Sequence, residues 1–265
     1  MSDDIKIGQA GMRLRAAGVE SGRMDARLLW NYARNPDVFE LLVARRLARE
    51  PLAYITGLKE FWSLNFAVGP GCLIPRPDSE TLIEALINQI PDRTRPLSIL
   101  DLGTGSGCLL VAALREYPNA RGTGIDRSPA ALAWARRNVD AHALEARATL
   151  IESDWPAAGS FDVVLSNPPY IPSAEVTALE PEVTLYEPHA ALDGGADGLD
   201  AYRALASRIG HLLKPGGVTL LEIGAGQADA VAAIMAGAGL YILEIVPDLA
   251  GIPRCAVVNL PKAPI

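Results

Sequence analysis

Residues 97–116 read LSILDLGTGSGCLLVAALRE. An apolar run gives way to Gly103-Thr104-Gly105-Ser106-Gly107 and then to apolar residues at helical spacing, the pattern of a buried strand, a glycine turn and a helix. The unit recurs down the chain. Strands are expected at 97–102, 120–125, 148–151, 161–166, 218–223, 240–246 and 255–260, and helices at 107–116, 129–141, 199–213 and 227–236. Strands alternating with helices imply a mostly parallel sheet covered on both faces, an α/β fold. The last two strands are joined only by residues 247–254, too short for a helical crossover, so they are expected to pair antiparallel.

Upstream, residues 8–48 read as helices. Val38, Leu41, Leu42 and Leu47 recur at helical spacing, which turns Arg45, Arg46 and Arg49 toward solvent. Asn35-Pro36 separates this helix from one around 25–33. Between 61 and 74, aromatic and β-branched residues alternate with polar ones around Gly69-Pro70-Gly71, a hairpin signal. The expected division is a helical domain at 1–58, a hairpin connector at 59–75 and the α/β domain at 76–265.

Composition narrows the function. Of 265 residues 49% are hydrophobic, enough for a full core, and the net charge of −7 lowers the prospect of a duplex-DNA partner, which calls for a basic face. Cys72, Cys108 and Cys255 form no CxxC pair, and three histidines are too few for a histidine-rich metal centre. No basic segment followed by an apolar run opens the chain, and residues 231–243 fall short of the ~18 apolar residues of a membrane span. A cytoplasmic, soluble monomer without direct nucleic-acid or membrane contact is expected.

The glycine loop decides between two cofactors. A dinucleotide fingerprint needs G-x-G-x-x-G/A; counted from Gly103 the sixth place is Cys108, and from Gly105 it is Leu110. The spacing instead reads D-x-G-x-G-x-G from Asp101, the form found in S-adenosyl-L-methionine enzymes, although a tight structural turn would also use these glycines. Asp126 ends the next strand, where a carboxylate can take both ribose hydroxyls or else cap the following helix, a role open equally to Ser128. Asp154 can accept from an adenine amino group while Trp155 covers the ring, or Trp155 can serve the core. A parallel sheet with an antiparallel last pair and such a loop has the shape of the Rossmann-like methyltransferases.

Asn167-Pro168-Pro169-Tyr170 follows the strand at 161–166. Pro168 forces Asn167 into extended backbone, and two prolines stiffen the loop. The Asn167 side-chain oxygen and the Pro168 carbonyl can grip both hydrogens of a planar –NH2 group, with Tyr170 packed on its face. Such a grip suits a nitrogen whose lone pair is delocalised, and positioning of this kind can supply roughly 7–11 kcal/mol in favourable cases. The plainer reading is a rigid turn ending a strand.

From about Pro51 to Arg254 the chain resembles the release-factor glutamine methyltransferases. The resemblance runs through EPLAYITGLKEFWSLNF, LIPRPDSE, DLGTGSGCLL, GIDRSPAAL, SDW, FDVVLSNPPYI, EPHAAL with DGGADGLDAYR, LKPGG, LEIG and DLAGIPR. It implies a methyltransferase catalytic domain, a helical domain that docks the protein substrate, and methyl transfer to the glutamine of a Gly-Gly-Gln loop in peptide chain release factors. It also implies that Gly103 to Gly107, Asp126, Trp155 and Asn167 contact the cofactor, and that Asn167 through Tyr170 hold the glutamine amide. Arg76, Asp78, Glu80, Glu187 and Asp197 fall in the same segments and are read as salt bridges or caps. Asp78-Ser79 stands where the family commonly has Glu-Thr, and the helical region before Pro51 is short for the family.

Three rival functions share parts of this pattern. The sister family acting on a ribosomal-protein glutamine usually carries Pro-Arg-Ser-Pro where this chain has Pro75-Arg76-Pro77-Asp78. An exocyclic-amino DNA methyltransferase would need a basic cleft and a target-recognition domain. A non-catalytic module would have no use for both halves of the site.

Overall fold

The apolar run before Gly103 becomes an interior strand, third in the order of a seven-stranded sheet. The structure, a computed structural model, describes residues 2–33, 35–154 and 159–260. Helices α1 (Asp3–Ala16), α2 (Gly22–Ala33), α3 (Pro36–Leu47) and α4 (Leu52–Thr56) precede the hairpin β1 (Leu58–Phe61) and β2 (Leu64–Ala67). A 3-10 turn at Pro77–Ser79 leads into α5 (Glu80–Gln89), β3 (Ser98–Leu102), α6 (Cys108–Glu116), β4 (Arg121–Asp126), α7 (Pro129–Ala141), β5 (Ala148–Glu152) and β6 (Phe161–Ser166). Two short helices, α8 (Ser173–Val176) and α9 (Pro181–Tyr186), precede α10 (Asp200–Leu212), β7 (Leu213–Glu222), α11 (Ala228–Gly237), β8 (Tyr241–Pro247) and β9 (Pro253–Asn259).

The sheet order is β5-β4-β3-β6-β7-β9-β8. The five strands from β5 to β7 run parallel, and β9 is antiparallel to both β7 and β8, as the short last connection requires. Strand order reverses between β3 and β6, which opens a crevice at their carboxyl ends. Successive side chains of a strand face opposite ways, so a strand covered on both sides must be apolar throughout. Ile99, Val163 and Val257 accordingly pack with Leu82, Leu86 and Leu110 of α5 and α6. Their neighbours Leu100, Val164 and Val258 pack on the other face with Tyr202, Ile209 and Met235 of α10 and α11.

Three expectations are corrected. In α3 the buried stripe is Phe39, Leu42, Val43 and Arg46, an i, i+3, i+4, i+7 pattern, while Val38 and Leu41 face out. The stripe containing Phe39 wins because that ring meets Trp30 edge-on with centroids 5.0 Å apart. Arg46 is therefore buried rather than solvated. Its Nε donates to Asp25 Oδ2 at 2.8 Å and its Nη1 to Glu182 Oε1 at 2.7 Å, and Arg49 Nε donates to the same Glu182 oxygen at 2.7 Å. The clasp ties α3 to α9, beyond β6.

The hairpin turns earlier than the glycines suggest. Trp62 and Ser63, at φ 52° and 57°, make the left-handed pair a two-residue hairpin needs. Strain in these non-glycine residues is offset by side-chain acceptors: Glu80 takes the Trp62 N–H at 2.7 Å and Glu60 the Ser63 N–H at 2.6 Å. Gly69 instead lets the chain pass close to Trp134, whose ring would stand 2.4 Å from an added Cβ. Finally, β7 starts before Val218: Leu213 already pairs with Phe161, and the ladder shifts register before Val163 pairs with Val218.

Candidate active site

The loop after β3 is shaped by its backbone. Gly103, Gly105 and Gly107 have φ of 72°, 55° and 78°, a region that costs other residues about 1–2 kcal/mol. A Cβ on Gly103 would meet no atom within 4 Å, so the missing side chain leaves open space in the crevice. The N–H groups of Gly103 and Thr104 both donate to the Ile125 carbonyl at 2.9 Å, strapping the loop to β4. Asp126 at the end of β4 accepts from Gly105 N and Ser128 N, each at 2.9 Å. The cap of α7 is Ser128, whose hydroxyl takes the Ala131 N–H at 3.2 Å ahead of Pro129. Asp126 is thus free of that role and turned to the loop.

Two buried polar side chains brace this wall. Asp101 accepts from the Thr104 hydroxyl at 2.6 Å through Oδ2, while its Oδ1 has no hydrogen-bond partner among the described residues. Burial pushes the Asp101 carboxyl up to about 7 against the relief of the Thr104 bond. Asn138 of α7 donates to the Ser106 carbonyl at 2.8 Å and exchanges bonds with Ala67 N and O at 2.7 and 3.0 Å. One amide thereby joins the glycine loop to the hairpin.

A cavity of about 400 Å³ fills the crevice. Gly103, Thr104, Gly105, Ser106, Asp126 and Asp154 line one side, and Asn167, Pro168 and Pro169 another. Gly107 stands outside the lining and packs on Ala135, where an added Cβ would come to 3.3 Å. Trp155 lies outside the described residues. Tyr170 lines a second cavity of about 200 Å³, shared with Asn167, Pro168, Arg76, Leu179 and Val183. Asn167 and Pro168 are therefore common to both cavities, as are Leu73, Arg76 and Ala191.

The loop after β6 is held by side chains from distant elements. Asn167 Nδ2 donates to Ser79 Oγ at 3.0 Å, Ser79 Oγ donates to Glu222 Oε2 at 2.5 Å, and the Tyr170 hydroxyl donates to Glu222 Oε1 at 3.1 Å. Gln227 Nε2 donates to the Tyr170 carbonyl at 2.9 Å. Among the described residues no donor reaches Asn167 Oδ1 or the Pro168 carbonyl, so two acceptors remain for a guest. Burial raises the Glu222 carboxyl, opposed by the hydroxyls of Ser79 and Tyr170 and by the charge of Arg254. Burial, followed by the neighbouring Glu222, likewise pushes the Tyr170 phenol up.

The residues read as structural have structural partners. Arg76 pairs with Glu187 at 2.5 Å, Asp78 with Arg254 at 3.2 Å and Asp197 with Arg203 at 2.6 Å, and Glu80 caps the hairpin turn. Sequence reasoning missed Ser79, Glu222 and Asn138. The available signal for Glu222 was a lone acid closing an apolar strand, Val218 to Leu221. A charge so placed is costly unless it is paired or hydrogen-bonded.

Among the described residues no helix is long and apolar enough to cross a membrane. The family model described as "Methyltransferase small domain" matches residues 77–184. A solved methyltransferase from Pyrococcus furiosus is similar in fold, with a TM-score of 0.56 at 19% identity, covering 83% of this chain and 98% of that one. The release factor glutamine methyltransferase of Rhodospirillum rubrum is 45% identical over 269 residues, spanning 94% of this chain and 82% of the relative. That of Cereibacter sphaeroides is also 45% identical, spanning 95% of this chain and 96% of the relative. Identity of this order along nearly the whole length of both chains settles the kinship: the chain belongs to the release factor glutamine methyltransferase family.

Proposed function

We propose that the chain transfers a methyl group from S-adenosyl-L-methionine to the side-chain amide nitrogen of the glutamine in the Gly-Gly-Gln loop of peptide chain release factors. One observation carries the mechanism. Asn167 and Pro168 line both cavities and offer two unclaimed acceptors on consecutive residues of a stiff loop. In this reading the larger cavity takes the cofactor and the smaller one the glutamine side chain.

The residues present fit that cofactor. The open space at Gly103 and the carboxylate of Asp126, held by Gly105 N–H, suit a ribose, and Asp154 in the lining can accept from an adenine amino group. When bound, S-adenosyl-L-methionine supplies a methyl group on a positively charged sulfur. Asn167 Oδ1 and the Pro168 carbonyl each accept one hydrogen of the glutamine –NH2. That fixes the plane of the amide and directs its nitrogen lone pair toward the larger cavity. Transfer would break the sulfur–methyl bond and release a neutral thioether. As positive charge builds on the amide nitrogen and its hydrogens, the same two oxygens would stabilise it, and the surplus proton would pass to water. Tyr170, fixed through its hydroxyl to Glu222, covers the amide from the second cavity.

The helical domain at 1–58 serves to dock the release factor, the connector at 59–75 joins it to the catalytic domain at 76–265, and the enzyme works as a cytoplasmic monomer on protein rather than nucleic acid. A net charge of −7 supports that choice. The test is mass spectrometry of a release factor incubated with enzyme and S-adenosyl-L-methionine. One added methyl on the glutamine of the Gly-Gly-Gln peptide is expected. Methylation confined to a ribosomal protein or to adenine in duplex DNA would overturn the substrate assignment.

A further inference from the structure

We propose that Glu222 is a positioning residue for methyl transfer: acting through Ser79, it dictates which end of the Asn167 side-chain amide faces the substrate. The inference rests on reading Asn167 as the amide clamp and adds to it the device that sets the clamp's polarity.

The argument begins with the cost of Glu222. It closes β7 in the middle of the sheet, between β6 and β9, with no exposed surface. A carboxylate there is expensive, and a core built only for stability would place an apolar side chain at this point. Both oxygens are nevertheless used, one by Ser79 at 2.5 Å and the other by Tyr170 at 3.1 Å. Burial raises this carboxyl, the two hydroxyls and then Arg254 of β9 oppose that shift, and Arg254 is itself tied to Asp78 at 3.2 Å and Asp248 at 3.3 Å. The carboxylate therefore receives hydroxyls that belong to the clamp on one side and to the turn before α5 on the other.

Direction follows from counting protons. A serine hydroxyl has a single hydrogen, and the Glu222 carboxyl, each of whose oxygens receives a hydroxyl, acts toward both as an acceptor. The hydrogen of Ser79 is committed to Glu222, so its oxygen can only accept from Asn167. The partner 3.0 Å away must then be the –NH2 end of the Asn167 amide, which leaves Oδ1 toward the cavities. Were Glu222 unable to claim that hydrogen, Ser79 could donate to Asn167 Oδ1 and the amide could settle the other way round. The clamp would then present N–H to the substrate's N–H, and the grip would become a repulsion. Backbone geometry does not distinguish the two orientations, because the ends of an amide are nearly equal in size. The choice is made by the carboxylate.

Four variants test this: Ser79→Ala, Ser79→Thr, Glu222→Gln and the double variant Ser79→Ala/Glu222→Gln, assayed with a release factor and S-adenosyl-L-methionine. Both single losses are expected to lower kcat by about tenfold to 10²-fold, with S-adenosyl-L-methionine affinity by calorimetry essentially unchanged. Ser79→Thr, which keeps the hydroxyl, is expected to restore most of what Ser79→Ala loses. The double variant is expected to be no slower than the slower single one, because both act along one path. Wild-type kcat in Ser79→Ala, failure of Ser79→Thr to recover, or losses that multiply in the double variant would each overturn the proposal. If Glu222→Gln does not fold, judged by its thermal transition, the Ser79 pair decides alone. Failure here is separable from failure of the clamp itself: an active Asn167→Ala sinks the clamp, whereas an inactive Asn167→Ala beside an active Ser79→Ala sinks only the positioning role.

Discussion

The loop after β3 and the loop after β6 face each other across one cavity, and they are held by different means. The first is set mainly by glycine backbone and by N–H groups bonded to the adjacent strand, with ties that reach 21 residues on to Asp126 and 32 residues on to Asn138. The second is set by prolines and by side chains 88, 52 and 57 residues away in sequence, namely Ser79, Glu222 and Gln227. A wall that only has to leave room for a ligand can be made from local turns. A wall that must present two acceptors in a fixed orientation needs supports that cannot shift with the loop. If the two loops serve as proposed, the contrast separates binding from rate, and substitutions on the two sides should divide accordingly.

The largest effect is expected on the side-chain wall. Asn167→Ala removes one of two acceptors and should lower kcat by about 10²–10³-fold or more, the range seen when a preorganised polar group at a reacting centre is lost. Affinity for S-adenosyl-L-methionine, measured separately by calorimetry, should change only a few-fold. A variant with wild-type kcat would remove Asn167 from the mechanism.

Next in size is Asp101→Asn, read in thermal stability. Asp101 ionises in the folded protein near 7, against an ordinary value of 3.8, because burial disfavours its charge. Its folded-state pKa is raised, so the unfolded chain sheds the proton first. The residue therefore costs stability increasingly as pH rises from about 4 to about 7, and the penalty is constant above that. The asparagine variant should match wild type near pH 4 and melt progressively higher than wild type as pH approaches 7. The opposite trend would mean that the carboxylate is ionised and paired in the free protein.

The same division explains what the sequence could reveal. Strands 97–102 and 161–166, the helix 129–141 and the antiparallel last pair depend on periodicity and on connection length, which are local, and they appear as β3, β6, α7 and the β8–β9 pair. The glycine loop and Asn167-Pro168-Pro169-Tyr170 were legible because each carries its own conformational constraint. Ser79 and Glu222 were not: a serine before a helix and an acid after an apolar run acquire meaning only when the chain brings them together. Arg46 was misread for a related reason. An arginine at a stripe position normally means solvent, and only the partners Asp25, 21 residues before it, and Glu182, 136 residues after it, make it an interior residue. Turn position was misjudged because glycines attract a hairpin reading, whereas Trp62 and Ser63 reach left-handed backbone with help from Glu60 and Glu80.

Smaller effects sharpen the comparison on the backbone wall. Asn138→Ala strips partners from Ala67 N, Ala67 O and Ser106 O, and a buried group left unpaired costs about 1–3 kcal/mol. The change should lower the thermal midpoint and loosen the glycine loop from the hairpin, raising the KM for the cofactor more than it lowers kcat. The smallest shift is expected for Gly105→Ala. At φ 55° an alanine carries about 1–2 kcal/mol of strain, yet an added Cβ finds only Gly103 O, at 3.9 Å, so nothing blocks the fold. Relief of that strain would turn the loop and draw Gly105 N–H away from Asp126, now 2.9 Å distant. The expected outcome is an affinity for S-adenosyl-L-methionine weakened by about tenfold, the equivalent of that strain, with kcat at saturating cofactor nearly intact. A fall in saturated kcat with unchanged affinity would reverse the roles of the two walls, because it would make the glycine loop an orienting element and the proline loop a container.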